Sequence, residues 1–107
     1  MSKKFVIIWS DFAEIQLDEI YEYYQQVAGS RIAAKLLKGI IEEPNKLLKK
    51  PFIGQEEELL RERANNYRYL VFKSYKIIYS VDDENGLIKI VDVFDTRQNP
   101  TKMKRTK

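Results

Sequence analysis

Basic and aromatic side chains are interleaved through "NNYRYLVFKSYKIIYSVD", residues 65–82, where Arg68, Lys73 and Lys76 stand among Tyr67, Tyr69, Phe72, Tyr75 and Tyr79. The chain has no histidine and no cysteine. It therefore lacks the commonest acid–base group, the thiol nucleophile and the usual zinc ligands. Any catalysis must use Lys, Arg, Tyr, Asp, Glu or a hydroxyl. Two readings of the stretch stand side by side. In one, the rings shield a small sheet while the Arg and Lys stems lie along them. In the other, the cations meet phosphate and the rings stack on bases.

Other chemistry has little support. Ser10, Ser30, Ser74 and Ser80 have no histidine partner, which rules out a Ser–His triad. No glycine-rich phosphate loop of either common pattern occurs. The acidic runs at 56–58 and 82–84 lack calcium-loop spacing and read as solvated loop charges. We expect no metal and no cofactor.

The elements that must position these residues follow from the hydrophobic period. "KFVIIW", 4–9, is β-branched and apolar on both faces, and reads as a buried strand. Ala13, Leu17, Ile20, Tyr24 and Val27 then fall on one helical face, with Asp11 and Glu14 as a capping box and Gly29 as the stop. Ser30 caps a second helix, whose stripe is Ala33, Leu36, Leu37, Ile40, Ile41, Leu47 and Leu48, and which Pro44 should kink or split. With one glycine between them, the helices form an antiparallel hairpin. Leu59–Leu60 is too short an apolar run to assign. Residues 67–73 and 75–82 read as strands joined tightly near Lys73–Ser74. "DDENG" is a turn and 87–95 is the last strand. The fold class is α+β, with the helical hairpin on one face of a sheet made by the N-terminal strand and a three-stranded meander. The other face must meet water or a partner.

The 107 residues form one domain. Nineteen basic and sixteen acidic residues give a net charge of +3. Four of the basic residues lie in the last seven, "TKMKRTK", so the body holds 15 against 16 and carries −1. That tail, 101–107, is expected to be flexible and able to touch phosphate or simply to aid solubility. The opening residues contain only five consecutive apolar positions, too few for a secretion signal or a membrane helix, and a cytoplasmic protein with no membrane partner is expected.

In order and spacing, "SDFAEIQLDEIYEYY", "KLLKKPFIG", "YRYLVFKSYKIIYSVD" and "IKIVDVFDTRQNP" resemble the RelE/ParE superfamily of bacterial toxin–antitoxin pairs. The resemblance makes residues 1–100 a single toxin domain with the helical-hairpin-on-sheet fold. It implies a growth inhibitor of the plasmid-stabilisation type, neutralised by a cognate antitoxin and reaching operator DNA only through that complex. One branch of the superfamily cleaves mRNA on the ribosome. The other poisons DNA gyrase. For a ribosome-dependent endoribonuclease, Arg68, Lys76 and Arg97 match basic positions that would stabilise the phosphorane, and Tyr79 is the candidate proton donor. The set departs from the pattern: Leu70 stands where a second lysine would help, and Gln98, Asn99 and Pro100 stand where a late tyrosine or histidine belongs. The missing donor favours the gyrase branch or a divergent toxin. A non-toxic nucleic-acid or protein binding module on the same fold is the third reading.

Overall fold

The computed structural model describes residues 4–61, 63, 65–98 and 100–105. Strand β1 (Val6–Trp9) leads into helix α1 (Asp11–Ala28) and helix α2 (Ser30–Glu42). A 3-10 segment (Glu43–Leu48), the two-residue strand β2 (Gln55–Glu56) and a 3-10 turn (Glu58–Leu60) follow. Strands β3 (Tyr67–Phe72), β4 (Tyr75–Asp82) and β5 (Leu87–Asp95) form the meander, and a 3-10 segment (Pro100–Arg105) ends the described chain. The five strands make one mixed sheet in the order β1-β5-β4-β3-β2. The α+β class holds, with β2 added at one edge.

Local chemistry explains the helix boundaries. Ser10, not Asp11, caps α1: its hydroxyl accepts the Ala13 N–H at 3.0 Å. An N-cap oxygen reaches the orphan donors of the first turn, and Asp11 is already inside that turn. Gly29 both stops α1 and caps α2, at φ 95, so Ser30 is the first helical residue of α2 rather than its cap. Pro44 ends α2 as expected, and the chain continues as the tighter 3-10 segment.

The helical hairpin covers one sheet face. Ala13, Leu17, Ile40 and Leu47 pack there with Leu70, Tyr75, Ile77, Tyr79, Ile88, Ile90 and Val93. Along the expected stripes Val27, near the turn between the helices, lies exposed, and so do Ile41 and Leu48, each the immediate neighbour of a fully buried residue, Ile40 and Leu47, and so turned away from the core. Strand β1 is not buried on both faces. It is an edge strand, parallel to β5 with Val6 opposite Leu87. Ile7 and Trp9 pack on the helical side, while Val6 and Ile8 remain exposed.

The second face is covered largely by the chain itself. Leu60, Tyr67, Ile78, Val91, Phe94 and Met103 form a second core, with Tyr69 packed against it. Met103 is 1% exposed. Residues through Arg105 of the expected flexible tail are therefore folded back, because one methionine among its lysines has an apolar site to fill. Residues 106 and 107 lie outside the described residues.

A bulge interrupts the simple two-residue alternation that a regular strand over 87–95 would show. Ile78 pairs with Asp92 and Tyr79 with Ile90, leaving Val91 as the extra residue. Ile88, Ile90 and Val93 consequently share the helical face, whereas Val91 and Phe94 share the other. Glu57 corrects the reading of 56–58 as solvated: it is 4% exposed and holds Lys76 Nζ at 2.9 Å.

Candidate functional site

Arg68 and Tyr79 are cross-strand neighbours on β3 and β4. They meet around one loop. Arg68 Nη1 donates to the Gly54 carbonyl at 2.9 Å and to that of Phe52 at 3.3 Å, and its guanidinium lies 5.5 Å from the Phe52 ring centre. The Tyr79 hydroxyl donates to the Pro51 carbonyl at 2.8 Å and accepts the Gly54 N–H at 2.9 Å. Tyr79 is fully buried, and burial pushes its phenol up from the ordinary value against the weaker effects of Gly54 and Arg68. The pair locks the 51–54 turn onto the sheet.

Lys76 lies on the other face. Val71 is its partner on β3, and its ammonium sits 4.2 Å from the centre of the Tyr69 ring while paired with Glu57. Leu70, at the position where a lysine would help, is in the helical-side core. Arg97 follows the end of β5, where Thr96 N–H bonds the Ser74 carbonyl at 2.8 Å. Arg68, Lys76, Arg97 and Tyr79 thus occupy three separate places. Only Arg68 and Tyr79 are brought together, and both are engaged by loop backbone. Asn99 lies outside the described residues.

Arg97 heads a cluster of its own, and it is the exposed member of the predicted set, with 60% of its side chain accessible. Its Nε and Nη2 grip the Asp95 carboxylate, with Nη2 to Oδ2 at 2.8 Å and Nε to Oδ1 at 2.9 Å. Nη2 also reaches the Tyr24 hydroxyl at 3.3 Å, and the Tyr75 hydroxyl reaches the same oxygen at 3.5 Å. Arg97 holds Asp95 below the usual carboxylate range, and Asp95 in turn raises the guanidinium. The hydrogen bond from Tyr75, then that from Arg97, lowers Tyr24. Burial, then the bond to Tyr24, raises Tyr75. These residues line an open cleft of about 350 Å³ together with Gln16, Glu19, Ile20, Tyr23, Val93, Gln98 and Arg105. Such a cleft can hold a polar group by directed donors against aromatic walls. Among the described residues no group of three or more acidic side chains stands ready for a metal ion.

Sequence reasoning favoured core packing for Tyr24, and its ring does pack, partly buried, against the helical-side core; the reach of its hydroxyl to Arg97 was not foreseen, and Asp95 was passed over. The available signal was a carboxylate two residues before an arginine at a strand end. Nothing local linked that pair to Tyr24, which is 73 positions away.

The family described as ParE toxin of type II toxin-antitoxin system, parDE, matches residues 7–100. The chain belongs to the ParE toxin family. A solved structure described as the chromosomal ParDE TA system from P. aeruginosa is similar to this ParE chain, with a TM-score of 0.72 and 22% sequence identity over 88% of this chain and 98% of that one. At that identity the likeness concerns the fold. None of the curated proteins matches significantly. ParE membership makes the chain the toxin of a type II pair, whose other member is its antitoxin. Among the described residues no helix is long and apolar enough to cross a membrane.

Proposed function

We propose that this ParE-family toxin stops growth by binding DNA gyrase, and not by cleaving ribosome-bound mRNA. One observation carries the reading. Cleavage by 2′-oxygen attack needs a base, a cation and an acid within hydrogen-bond reach of a single phosphate. Arg68 and Tyr79 are held by loop carbonyls on one face, Lys76 is paired with Glu57 on the other, and Arg97 lies at the strand end. Inhibition by binding requires no such convergence.

The test pairs two assays of the purified protein. Gyrase supercoiling should fall, with double-strand breaks accumulating, while message in a cell-free translation reaction keeps its original 5′ ends. New codon-phased ends that depend on ribosomes would instead assign the ribonuclease activity to this chain. Normal growth on induction in cells would point to a non-toxic binding module.

A further inference from the structure

The two edges of the sheet are guarded differently. At one edge β2 consists only of Gln55 and Glu56, and Glu56 shares its charge with Arg61 at 3.8 Å. Short length and charge are usual means by which an edge refuses another strand. The β1 edge is longer, and Val6, Ile7, Ile8 and Trp9 are all uncharged, with no glycine or proline among them. This strand pairs on one side only, with β5. The N–H groups of Val6 and Ser10 bond the Gly86 and Ile90 carbonyls on that side, each at 2.9 Å. Alternation along a strand therefore turns the N–H and C=O groups of Ile7 and Trp9 to the open side. Val6 and Ile8, 57% and 40% exposed, stand on the face away from the helices.

This edge is complementary to itself. Antiparallel pairing about a two-fold axis at Ile7 brings the outward groups into hydrogen-bonding register. Ile7 exchanges both its bonds with the partner's Ile7, and Trp9 exchanges both with the partner's Phe5. Val6 then lies opposite the partner's Ile8, in the closer, non-hydrogen-bonded kind of pair, and Ile8 lies opposite the partner's Val6. The exposed apolar side chains of both copies cover one another. An axis at Ile8 does less, because it sets Val6 against the partner's Ser10. The charges agree with the Ile7 axis. Lys4 comes opposite the partner's Ser10, next to the exposed Asp11 that begins α1, and stands about 20 Å along the strand from the partner's Lys4. We propose that a second copy of the chain adds here, β1 to β1, joining two five-stranded sheets into one across an axis at Ile7. The match of exposed residues about that axis favours a second copy over a strand of another protein. Such a strand pair is smaller than the roughly 1,600 Å² of a standard interface, so the dimer forms reversibly and dissociates on dilution. The inference does not depend on gyrase being the target.

Sedimentation velocity of the full-length toxin should show the monomer giving way to a dimer between about 10 μM and about 1 mM. Hydrogen exchange on the same samples should slow at the Ile7 and Trp9 amides as the dimer forms. Val6→Glu and Ile8→Lys alter exposed side chains, and each alone should raise the midpoint concentration by about tenfold or more. The double variant Val6→Glu/Ile8→Lys sets opposite charges across the axis in both pairs and should regain most of that loss. In a pairing centred on Ile8 the Ile8→Lys charges would face each other, and the double variant would stay monomeric. A monomer throughout, a dimer whose Ile7 and Trp9 amides exchange as in the monomer, or a double variant no better than the single ones would each overturn the proposal. Protection of those amides by the antitoxin, with none in the toxin alone, would overturn it too and give the edge to the antitoxin. The dilution series needs no variant, so a misfolded mutant does not obscure the result. Gyrase inhibition is read separately and can fail without touching it.

Discussion

Asp95 and Arg97 illustrate how two ordinary residues become a rigid feature once a strand end fixes their spacing. The guanidinium holds the Asp95 carboxyl below its usual 3.8. In the unfolded chain that carboxyl titrates at its ordinary value. The ionised form therefore favours folding above about pH 4, and the contribution fades as pH drops through the depressed folded value. Asp95→Asn removes this term. The urea midpoint of the parent protein should consequently fall more steeply than that of Asp95→Asn between about pH 5 and about pH 2. Parallel curves would mean that the exposed guanidinium lends no net support. Tyr79 shows the opposite case: a residue chosen for chemistry whose hydroxyl is occupied by Pro51 and Gly54. Tyrosine is common in strands, and its sequence neighbours do not reveal which loop will close over it.

Among the elements, the C-terminal 3-10 segment departs most from expectation. Its lysines suggest a solvated tail, and composition averages away the single apolar residue that decides the matter. Met103 fills the second core between Leu60, Tyr67 and Phe94. Met103→Ala should cost about 2–5 kcal/mol in urea denaturation, the range for truncating a fully buried side chain. A loss below about 0.5 kcal/mol, typical of a surface change, would return the segment to the tail it was expected to be. The bulge in β5 is a second departure. One extra residue at Val91 shifts which side chains face the helices, and strict alternation cannot foresee it. The helices were more legible. Their apolar period, Gly29 and Pro44 are local signals, and helix formation is governed by local steric and hydrogen-bonding rules.

For the molecule as a whole, the gyrase reading makes the buried ion pair a structural device. Lys76→Met leaves the nearly inaccessible Glu57 carboxylate without its cation. That variant should lose about 3–5 kcal/mol of stability, the cost of stranding a buried charge, and its toxicity should fall with its folded population. The double variant Glu57→Gln/Lys76→Met strands no charge and should recover both. Melting curves and growth arrest on induction, measured on the same three proteins, decide the point. A double variant that melts like the parent yet permits growth would give Lys76 a direct part in toxicity.

By itself the sequence determined the α+β class, the helical hairpin, the meander with its turns, and the toxin family. These rest on periodicity, on Gly and Pro punctuation, and on the order of motifs, all of which act over a few residues or along the chain. Tertiary structure alone decided that β1 is an edge strand paired in parallel with β5, that Arg68, Lys76 and Arg97 stand apart, and that Tyr24, Tyr75, Asp95 and Arg97 come together. Those outcomes depend on register, on a bulge and on contacts across more than seventy positions. Such long-range relations are set by the collective packing of the sheet and its two cores, and no local run of residues encodes them.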